Sequence, residues 1–269
     1  MPADASAPDN PSPDNSSSGL DPNAAPTGPL ILQVDIVSDV VCPWCVIGFK
    51  QLEAALNQLN GPQVQAGSKS AEQGGPEQSG PEQHALRLQA AVRWHPFELN
   101  PEMAPEGQNL REHVAEKYGT GPEESERSRA HLVELAASLG LPFRYDEESR
   151  IYNTFQAHQL LHWAGEEGLQ TMFKMSLFET YFTRQEDVSD PAVLAAAAGR
   201  AGLDTGFATQ ILDDGRYADA VRKQQAYFTQ QGIQGVPAMI IDRKYLLSGA
   251  QGIENYRQVL NRVLEEKAA

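Results

Sequence analysis

The feature that most constrains this chain is the position of its two cysteines. Both lie in the run Cys42-Pro43-Trp44-Cys45 of a 269-residue sequence. The run follows a short β-branched stretch, residues 30–37, that is typical of a buried strand. It also begins a stretch with helical spacing of apolar residues, 43–59, in which Pro43 suits the first turn. The sequence therefore predicts both thiols at the junction of a strand and a helix N-terminus.

A helix N-terminus favours thiol chemistry at this place. Its free N–H groups and the positive end of the helix dipole stabilise a thiolate. We expect Cys42 to be the exposed thiol, with a lowered pKa that makes it a nucleophile near neutral pH. Cys45, one turn further on, is placed to attack a mixed disulfide formed at Cys42. The alternatives are a structural zinc site, which needs histidines from elsewhere, and an inert buried pair.

A second motif, Gly235-Val236-Pro237, comes directly before a predicted strand at residues 238–241. Taken alone, it is an ordinary proline at the start of a strand, with the trans peptide bond that X–Pro sequences usually adopt. Its interest depends on the cysteine pair upstream.

Charge and hydropathy exclude several classes of protein. Asp and Glu number 36 against 21 Lys and Arg, so the formal charge is −15 and nucleic acid is not expected as a partner. No apolar run approaches the ~18–20 residues of a membrane-spanning helix, so no membrane partner is expected. Two cysteines are too few for a disulfide-stapled secreted scaffold, and no secretory signal is recognisable. We therefore expect a cytoplasmic protein.

Two segments lack the apolar periodicity of a folded core. Residues 1–29 contain no basic or aromatic residue and are predicted to form a disordered N-terminal tail. Residues 61–84 repeat GPEQ-like units and are predicted to form a flexible loop. The remainder of 30–269 is long enough for a single domain with one sizeable core.

The predicted elements alternate between strand and helix. A second strand is expected at about 86–97, and an interval from about 110 to 229 has helical spacing, with a helical insertion placed at about 108–212. The chain closes with two short strands and an amphipathic helix, at 238–241, 245–247 and 252–266. The fold class is thus α/β, with a small β-α-β … β-β-α unit interrupted by a helical insertion.

Several runs of this sequence carry a family resemblance. They are Asp35–Gly48, Pro96–Met103, Asn153–His158, Tyr181–Thr183 with Ser189–Pro191, and Gly235–Pro237 with Ser248–Gln251. A Cys-x-x-Cys motif near a βαβ pattern is itself the sequence sign of a thioredoxin-like redox centre. Together these runs resemble the DsbA-like thioredoxin family, and within it the FrnE-type branch. The resemblance spans about residues 31–265 without the 61–84 loop, and the family fold is a thioredoxin domain with a helical insertion between its two halves.

The resemblance implies thiol–disulfide oxidoreductase or isomerase chemistry, with Cys42 attacking and Cys45 resolving. It also implies a cis peptide bond between Val236 and Pro237, whose edge would dock an extended peptide. Implied partners are proteins or peptides that contain disulfides or thiols. No cofactor is implied, and glutathione enters only as a redox partner.

Two alternatives from other classes stay open. Kappa-class glutathione transferases and 2-hydroxychromene-2-carboxylate isomerases share the fold and use glutathione, which would make this a small-molecule isomerase or transferase. A serine generally stands in those branches at the position of Cys42, so the retained pair favours dithiol exchange. The other alternative is a non-catalytic peptide-binding module that uses the Val236–Pro237 edge.

Other residues near the pair are weaker candidates. Pro43 and Trp44 are expected to tune the redox potential, with Trp44 partly exposed. Asp35 and Asp39 precede Cys42 closely, and either is a candidate proton acceptor for the resolving thiol. We expect Asp39 to be the more exposed of the two. The alternative is a solvated turn aspartate or a helix N-cap.

Two polar residues of the helical interval complete the set of candidates. Asn153 and His158 belong to a run that resembles a family motif facing the active site. His158 and His162 have the i, i+4 spacing of metal ligands, but no third ligand is evident. No metal site is therefore predicted.

Overall fold

The computed structural model describes residues 29–61 and 87–268. The predicted N-terminal tail, 1–29, and the predicted loop, 61–84, lie outside the described residues apart from Pro29 and Gly61. The structure therefore tests neither prediction.

A four-stranded sheet forms the centre of the fold. The strands of the described residues are, in chain order, β1 (Leu30–Ser38), β2 (Leu88–Pro96), β3 (Gln108–Asn109), β4 (Arg150–Ile151), β5 (Ala238–Ile241) and β6 (Tyr245–Ser248). The central sheet has the order β2-β1-β5-β6, in which β1 is parallel to β2 and antiparallel to β5. The strands β3 and β4 form a separate antiparallel pair.

Helices pack on both faces of the sheet. They are α1 (Pro43–Leu59), α2 (Leu110–Tyr118), α3 (Pro122–Ser138), α4 (Phe155–Glu166), α5 (Gln170–Phe178), α6 (Pro191–Arg200), α7 (Thr205–Asp214), α8 (Ala218–Gln230) and α9 (Ile253–Ala268). A π-helical turn over Glu179–Thr183 extends α5. Among the described helices, none combines the length and the apolarity needed to cross a bilayer.

The alternation of side chains along β1 places them on two faces of the sheet. Leu32, Val34 and Ile36 are buried in the main core, which α1 and α9 complete. Val37 points to the other face, where it packs in a second cluster with Phe228 of α8. The sheet is therefore covered on both sides, and the α1 face carries the cysteine turn.

The inserted helices lie between β2 and β5 in the chain. Asp190 and Asp204 begin α6 and α7 by accepting backbone N–H groups of the first turn, which satisfies donors that a helix leaves unpaired. The predicted division at about residue 212 falls in the last turn of α7, and α8 beyond it packs on the sheet.

Gln170, the first residue of α5, joins the insertion to the edge of the sheet. Its Oε1 accepts a hydrogen bond from the Trp94 backbone N–H at 2.9 Å, and its Nε2 donates to the Trp94 carbonyl at 3.0 Å. The Trp94 indole N–H donates to Thr171 Oγ1 at 3.0 Å. Because β2 is an edge strand, these bonds satisfy backbone groups that no further strand reaches.

Candidate active site

The two cysteines lie at the end of the turn between β1 and α1. Cys42 is the N-cap of α1, and Pro43 occupies the first helical turn. The Cys45 backbone N–H donates to the Cys42 carbonyl at 3.1 Å, which brings the two thiols close together. Both thiols are free, and Trp44 between them is 42% exposed. The turn therefore holds a reduced dithiol with its indole neighbour facing solvent.

Cys42 is buried, so the expectation that it is an exposed thiol is wrong. Its residue surface is 3% exposed, and that of Cys45 is 0% exposed. The reason is that α2 and α3 of the insertion lie beside the turn, and Cys42 is reached from a cleft between these helices and α1. Access to the dithiol is therefore controlled by the insertion and not by the turn alone.

The strand β5 brings a proline to the same place. The peptide bond between Val236 and Pro237 is cis, and the Cys42 thiol donates to the Val236 carbonyl oxygen at 3.6 Å. The Pro237 carbonyl accepts the Gly249 N–H at 2.7 Å, which fixes the start of β5 against the segment after β6. The motif lies 194 residues from Cys42 in the sequence, and it forms one wall of the site.

The two thiols hold their protons unequally. The pKa of Cys42 is raised well above its usual value, first by its interaction with the Cys45 thiol and then by burial. Burial also raises the pKa of Cys45, but the neighbouring Cys42 thiol, the charge of Lys174 and the Ser38 hydroxyl outweigh it and lower the pKa. The expectation of a lowered pKa at Cys42 is therefore not met in the reduced pair, because this thiol is buried and lies next to a second thiol.

Asp39 is fully buried, so the expectation of an exposed turn aspartate is wrong, and it is not the N-cap of α1. Its Oδ2 accepts the Leu99 N–H at 2.7 Å. Its Oδ1 lies 3.5 Å from His158 Nε2, which is closer to the Phe97 carbonyl oxygen at 3.0 Å. Among the described residues, Oδ1 has no hydrogen-bond partner. Burial raises the pKa of Asp39, but His158, the Leu99 N–H and the charge of Lys174 lower it on balance, so the carboxyl is ionised at neutral pH.

Asp35 does not join the site. Its Oδ1 lies 2.8 Å from His95 Nε2 and 3.5 Å from Arg93 Nε on the neighbouring strand β2. The His95 ring packs on Phe228 of α8, on the sheet face opposite to α1. The alternation of β1 therefore directs Asp35 away from the dithiol, and it is not a proton acceptor for Cys45.

Sequence reasoning missed two residues of the site. Lys174 of α5 is 1% exposed, and its ammonium lies 5.4 Å from the ring centroid of Trp94 and 4.9 Å from that of Phe178. Burial lowers the pKa of Lys174 to about 8, although the neighbouring thiols and carboxylate favour its charged form. The Ser38 hydroxyl, wholly buried at the end of β1, is the second, and it helps to lower the pKa of Cys45. The available sequence signal for Lys174 was its position in α5, where the helical spacing of apolar residues places it on the core side of the helix.

The remaining candidates have structural roles. Asn153 accepts the backbone N–H two residues further on at 2.9 Å and so begins α4. His162 lies 3.9 Å from Glu166 on the exposed side of that helix and does not share a ligand set with His158. Within 29–61 and 87–268, no group of three or more His, Cys, Asp or Glu is arranged to hold a metal ion.

A cleft of about 380 Å³ opens beside Cys42. Its walls come from the start of α1, from α2 and α3, and from Val236. Tyr145 and Tyr181 also line it, and burial followed by the charge of Cys42 raises the pKa of Tyr145, so its hydroxyl stays protonated. A volume of this size is in the range of small-ligand sites.

Comparison with known proteins gives a family match across this whole region. The family model for the DSBA-like thioredoxin domain matches residues 33–261. An uncharacterized protein of Bacillus subtilis, YwbO, is 21% identical over 233 residues, which are 86% of this chain and 97% of the relative.

Solved structures show the same architecture. A probable DsbA oxidoreductase from Streptomyces coelicolor is 30% identical, with a TM-score of 0.72 over 87% of this chain and 91% of the other. The cytosolic disulfide reductase DsbM from Pseudomonas aeruginosa, solved with glutathione, is 16% identical, with a TM-score of 0.52 over 87% of this chain and 99% of the other. The second likeness shows the fold only.

Proposed function

The chain belongs to the DsbA-like thioredoxin domain family, a family of thiol–disulfide oxidoreductases, and on that premise we propose that it exchanges disulfides through Cys42 and Cys45. This proposal is based on the different accessibility of the two thiols from the cleft. The cleft reaches Cys42, whereas Cys45 is fully buried beneath it. A substrate sulfur therefore bonds to Cys42, and Cys45 acts second.

The reaction begins with a proton shift inside the pair. The first proton lost from the reduced pair leaves a negative charge between two close sulfurs, and the charge of Lys174 favours that charge. When the remaining proton lies on Cys45, the thiolate is on Cys42, the sulfur that faces the cleft. That thiolate attacks one sulfur of a substrate disulfide, forms a mixed disulfide at Cys42 and releases the other substrate sulfur as a thiolate.

Resolution then needs a base near Cys45, and Asp39 is suited to that role. Its Oδ1 is buried and has no hydrogen-bond partner among the described residues, so a lone pair is free to accept the Cys45 proton. The Cys45 thiolate attacks Cys42 Sγ, the protein disulfide forms, and the second substrate thiol leaves. Lys174 and Ser38 stabilise the thiolate that does this.

The Val236 carbonyl beside Cys42, just before β5, offers the substrate a docking edge. In the resting state the Cys42 thiol donates a hydrogen bond to the Val236 carbonyl oxygen at 3.6 Å. Once Cys42 has lost its proton it no longer donates, and the Val236 carbonyl becomes available to a backbone N–H of an extended substrate. Val236 and Pro237 therefore bind a protein or peptide substrate only when Cys42 is a thiolate.

We place the activity in the cytoplasm, as predicted from the sequence, where a reducing glutathione pool favours reductase or isomerase work. Pro43 and Trp44 are adjacent to both sulfurs and are placed to tune the redox potential. Glutathione then serves as a redox partner and not as a bound cofactor.

The test of this function is a pair of single substitutions. Cys42→Ser is expected to abolish turnover of a disulfide substrate, because Cys45 is not accessible from the cleft. Cys45→Ser is expected to accumulate a mixed disulfide at Cys42, detected by intact-protein mass spectrometry before and after a reductant. Full activity in Cys42→Ser would contradict the mechanism.

The same variants separate the alternatives. A glutathione-dependent isomerase or transferase would bind glutathione and keep its activity in Cys45→Ser. A non-catalytic module would bind its partner equally well when both cysteines are replaced.

A further inference from the structure

The cleft beside Cys42 is basic although the chain as a whole is acidic. The charged residues of its lining are Lys117 and Arg129, with no aspartate or glutamate. His113 also lines it, but burial lowers its pKa, so it adds no charge at neutral pH. The chain carries 36 acidic residues against 21 Lys and Arg. A wall of one sign inside a molecule of the opposite net charge concentrates the opposite ion at that wall.

Of the cationic residues that line the cleft, Arg129 of α3 makes the fewest polar contacts with the described residues. It is partly buried and, among the described residues, has neither an ion pair nor a side-chain hydrogen bond. Glu126, one turn earlier, acts on it only through its charge, and Arg111 repels it. Arg111 in turn pairs with Glu147 at 3.4 Å. A guanidinium in this position has its donors free for a ligand.

Lys117 and His113 of α2 are held by neutral groups. Lys117 Nζ donates to the Leu99 carbonyl at 2.9 Å and to Asn100 Oδ1 at 2.6 Å. His113 Nδ1 lies 2.8 Å from Gln108 Oε1. Because these partners are uncharged, they fix the position of Lys117 without cancelling its charge.

We propose that this cleft selects small disulfides and thiols that carry carboxylate groups, with Arg129 as the principal charge contact. The proposal rests on the proposed function, since the ligand must bring its sulfur to Cys42. The cleft is bounded by α1, α2 and α3 and encloses about 380 Å³, which suits a small molecule. Leu110, Leu132 and Phe182 line it as well and contact the carbon chain of such a ligand.

The chemistry balances with the two protein thiols as the reductant. The Cys42 thiolate attacks one sulfur of the small disulfide, the S–S bond breaks, and one carboxylate-bearing thiolate leaves. Cys45 then attacks Cys42 Sγ and releases the second carboxylate-bearing thiol. Two electrons pass from the protein dithiol to the substrate, and the protein disulfide forms.

The experiment uses three disulfides that share a two-carbon arm and differ in charge. They are 3,3′-dithiodipropionate, which is anionic, hydroxyethyl disulfide, which is neutral, and cystamine, which is cationic. The reduced full-length chain is mixed with each, oxidation is followed by thiol labelling, and each rate is divided by the rate with dithiothreitol to remove intrinsic reactivity. The wild type is expected to prefer the anionic disulfide, and added salt is expected to reduce that preference.

Arg129→Gln is expected to slow the reaction with dithiodipropionate by about tenfold and to leave the neutral disulfide almost unchanged. Arg129→Lys keeps the charge and is expected to restore much of the rate. The matched control is Arg127→Gln, since Arg127 lies on the same helix but is exposed and does not line the cleft. It is expected to leave the preference intact.

Each outcome decides one point. Equal slowing of all three disulfides by Arg129→Gln, or an equal effect of Arg127→Gln, would overturn the proposal. If the wild type reacts with all three disulfides at the same normalised rate, charge selection fails while the redox function stands. If Cys42 reacts with none of them, the redox function itself fails.

Discussion

At the scale of single residues, the site depends on polar groups buried around the dithiol. Asp39, His158 and Lys174 come from the β1–α1 turn, from α4 and from α5, and each is almost wholly buried. Unpaired polar and charged groups in such a place are costly, so their mutual proximity is what allows them to be there. Asp39 Oδ1 and the Lys174 ammonium are the two groups that we expect to act on Cys45.

Asp39→Asn is expected to slow the resolving step and not the first attack. Asparagine keeps an oxygen for the Leu99 N–H but cannot accept a proton from Cys45, so resolution should slow by about tenfold to a hundredfold. The two successive releases of thionitrobenzoate from Ellman's reagent measure the two steps separately. Asp35→Asn is the control, because Asp35 faces α8. A slower first release with an unchanged second would contradict the assignment.

Lys174→Met is expected to move thiolate formation to higher pH. A positive charge beside a thiol stabilises the thiolate, and loss of that charge should raise the pKa of the pair by roughly one unit. In the wild type the effect fades above pH 8, since the pKa of Lys174 itself is about 8. Thiolate absorbance against pH measures the shift. The control is Lys223→Met on the exposed side of α8, and an equal shift there would argue against a specific role for Lys174.

At the scale of elements, the position of α5 decides whether Lys174 reaches the dithiol. α5 begins at Gln170, whose side chain makes two hydrogen bonds with the backbone of Trp94 in β2. The helix thus starts from a point fixed on the sheet. A helix anchored only by apolar contacts would have more freedom to slide.

Gln170→Ala is expected to lower the free energy of unfolding by about 1–3 kcal/mol, because two partly buried backbone groups of Trp94 lose their partners. Thermal or urea unfolding measures the change. Gln230→Ala, at the exposed end of α8, is the control and is expected to have little effect. Equal stability of the two variants would show that the amide does not hold α5 to the sheet.

At the scale of the whole molecule, residues from two parts of the chain, the sheet-bearing part and the insertion, set the redox balance. Cys42 and Cys45 belong to the sheet-bearing part, whereas Lys174 and His158 belong to the insertion. Stabilising a thiolate stabilises the reduced form, so docking of the insertion makes the protein disulfide a stronger oxidant.

Lys174→Met is therefore also expected to make the protein disulfide harder to reduce. A shift of one unit in the pKa of the thiolate corresponds to about a tenfold change in the exchange equilibrium. Equilibration against a series of reduced and oxidised glutathione, followed by Trp44 fluorescence, measures the midpoint. The wild type is expected to show one cooperative two-electron transition, and an unchanged midpoint in the variant would contradict the coupling.

Local patterns in the sequence were sufficient for much of the fold. The periodicity of apolar residues and the position of Pro43 gave the bounds of α1, and the strands of the central sheet were placed within two residues. The cysteine pair at the strand–helix junction and the family that it indicates were also readable, and the family is confirmed. These features depend on neighbouring residues, whose preferences act over a few positions.

Only the tertiary structure decided what surrounds the pair. Asp39 and Cys42 are buried because helices from a distant part of the chain cover their turn, and Lys174 is a site residue only because α5 docks there. The basic character of the cleft likewise depends on which faces of α2 and α3 turn inward. Burial and electrostatic interaction depend on distances between residues far apart in the sequence, and no local pattern contains those distances.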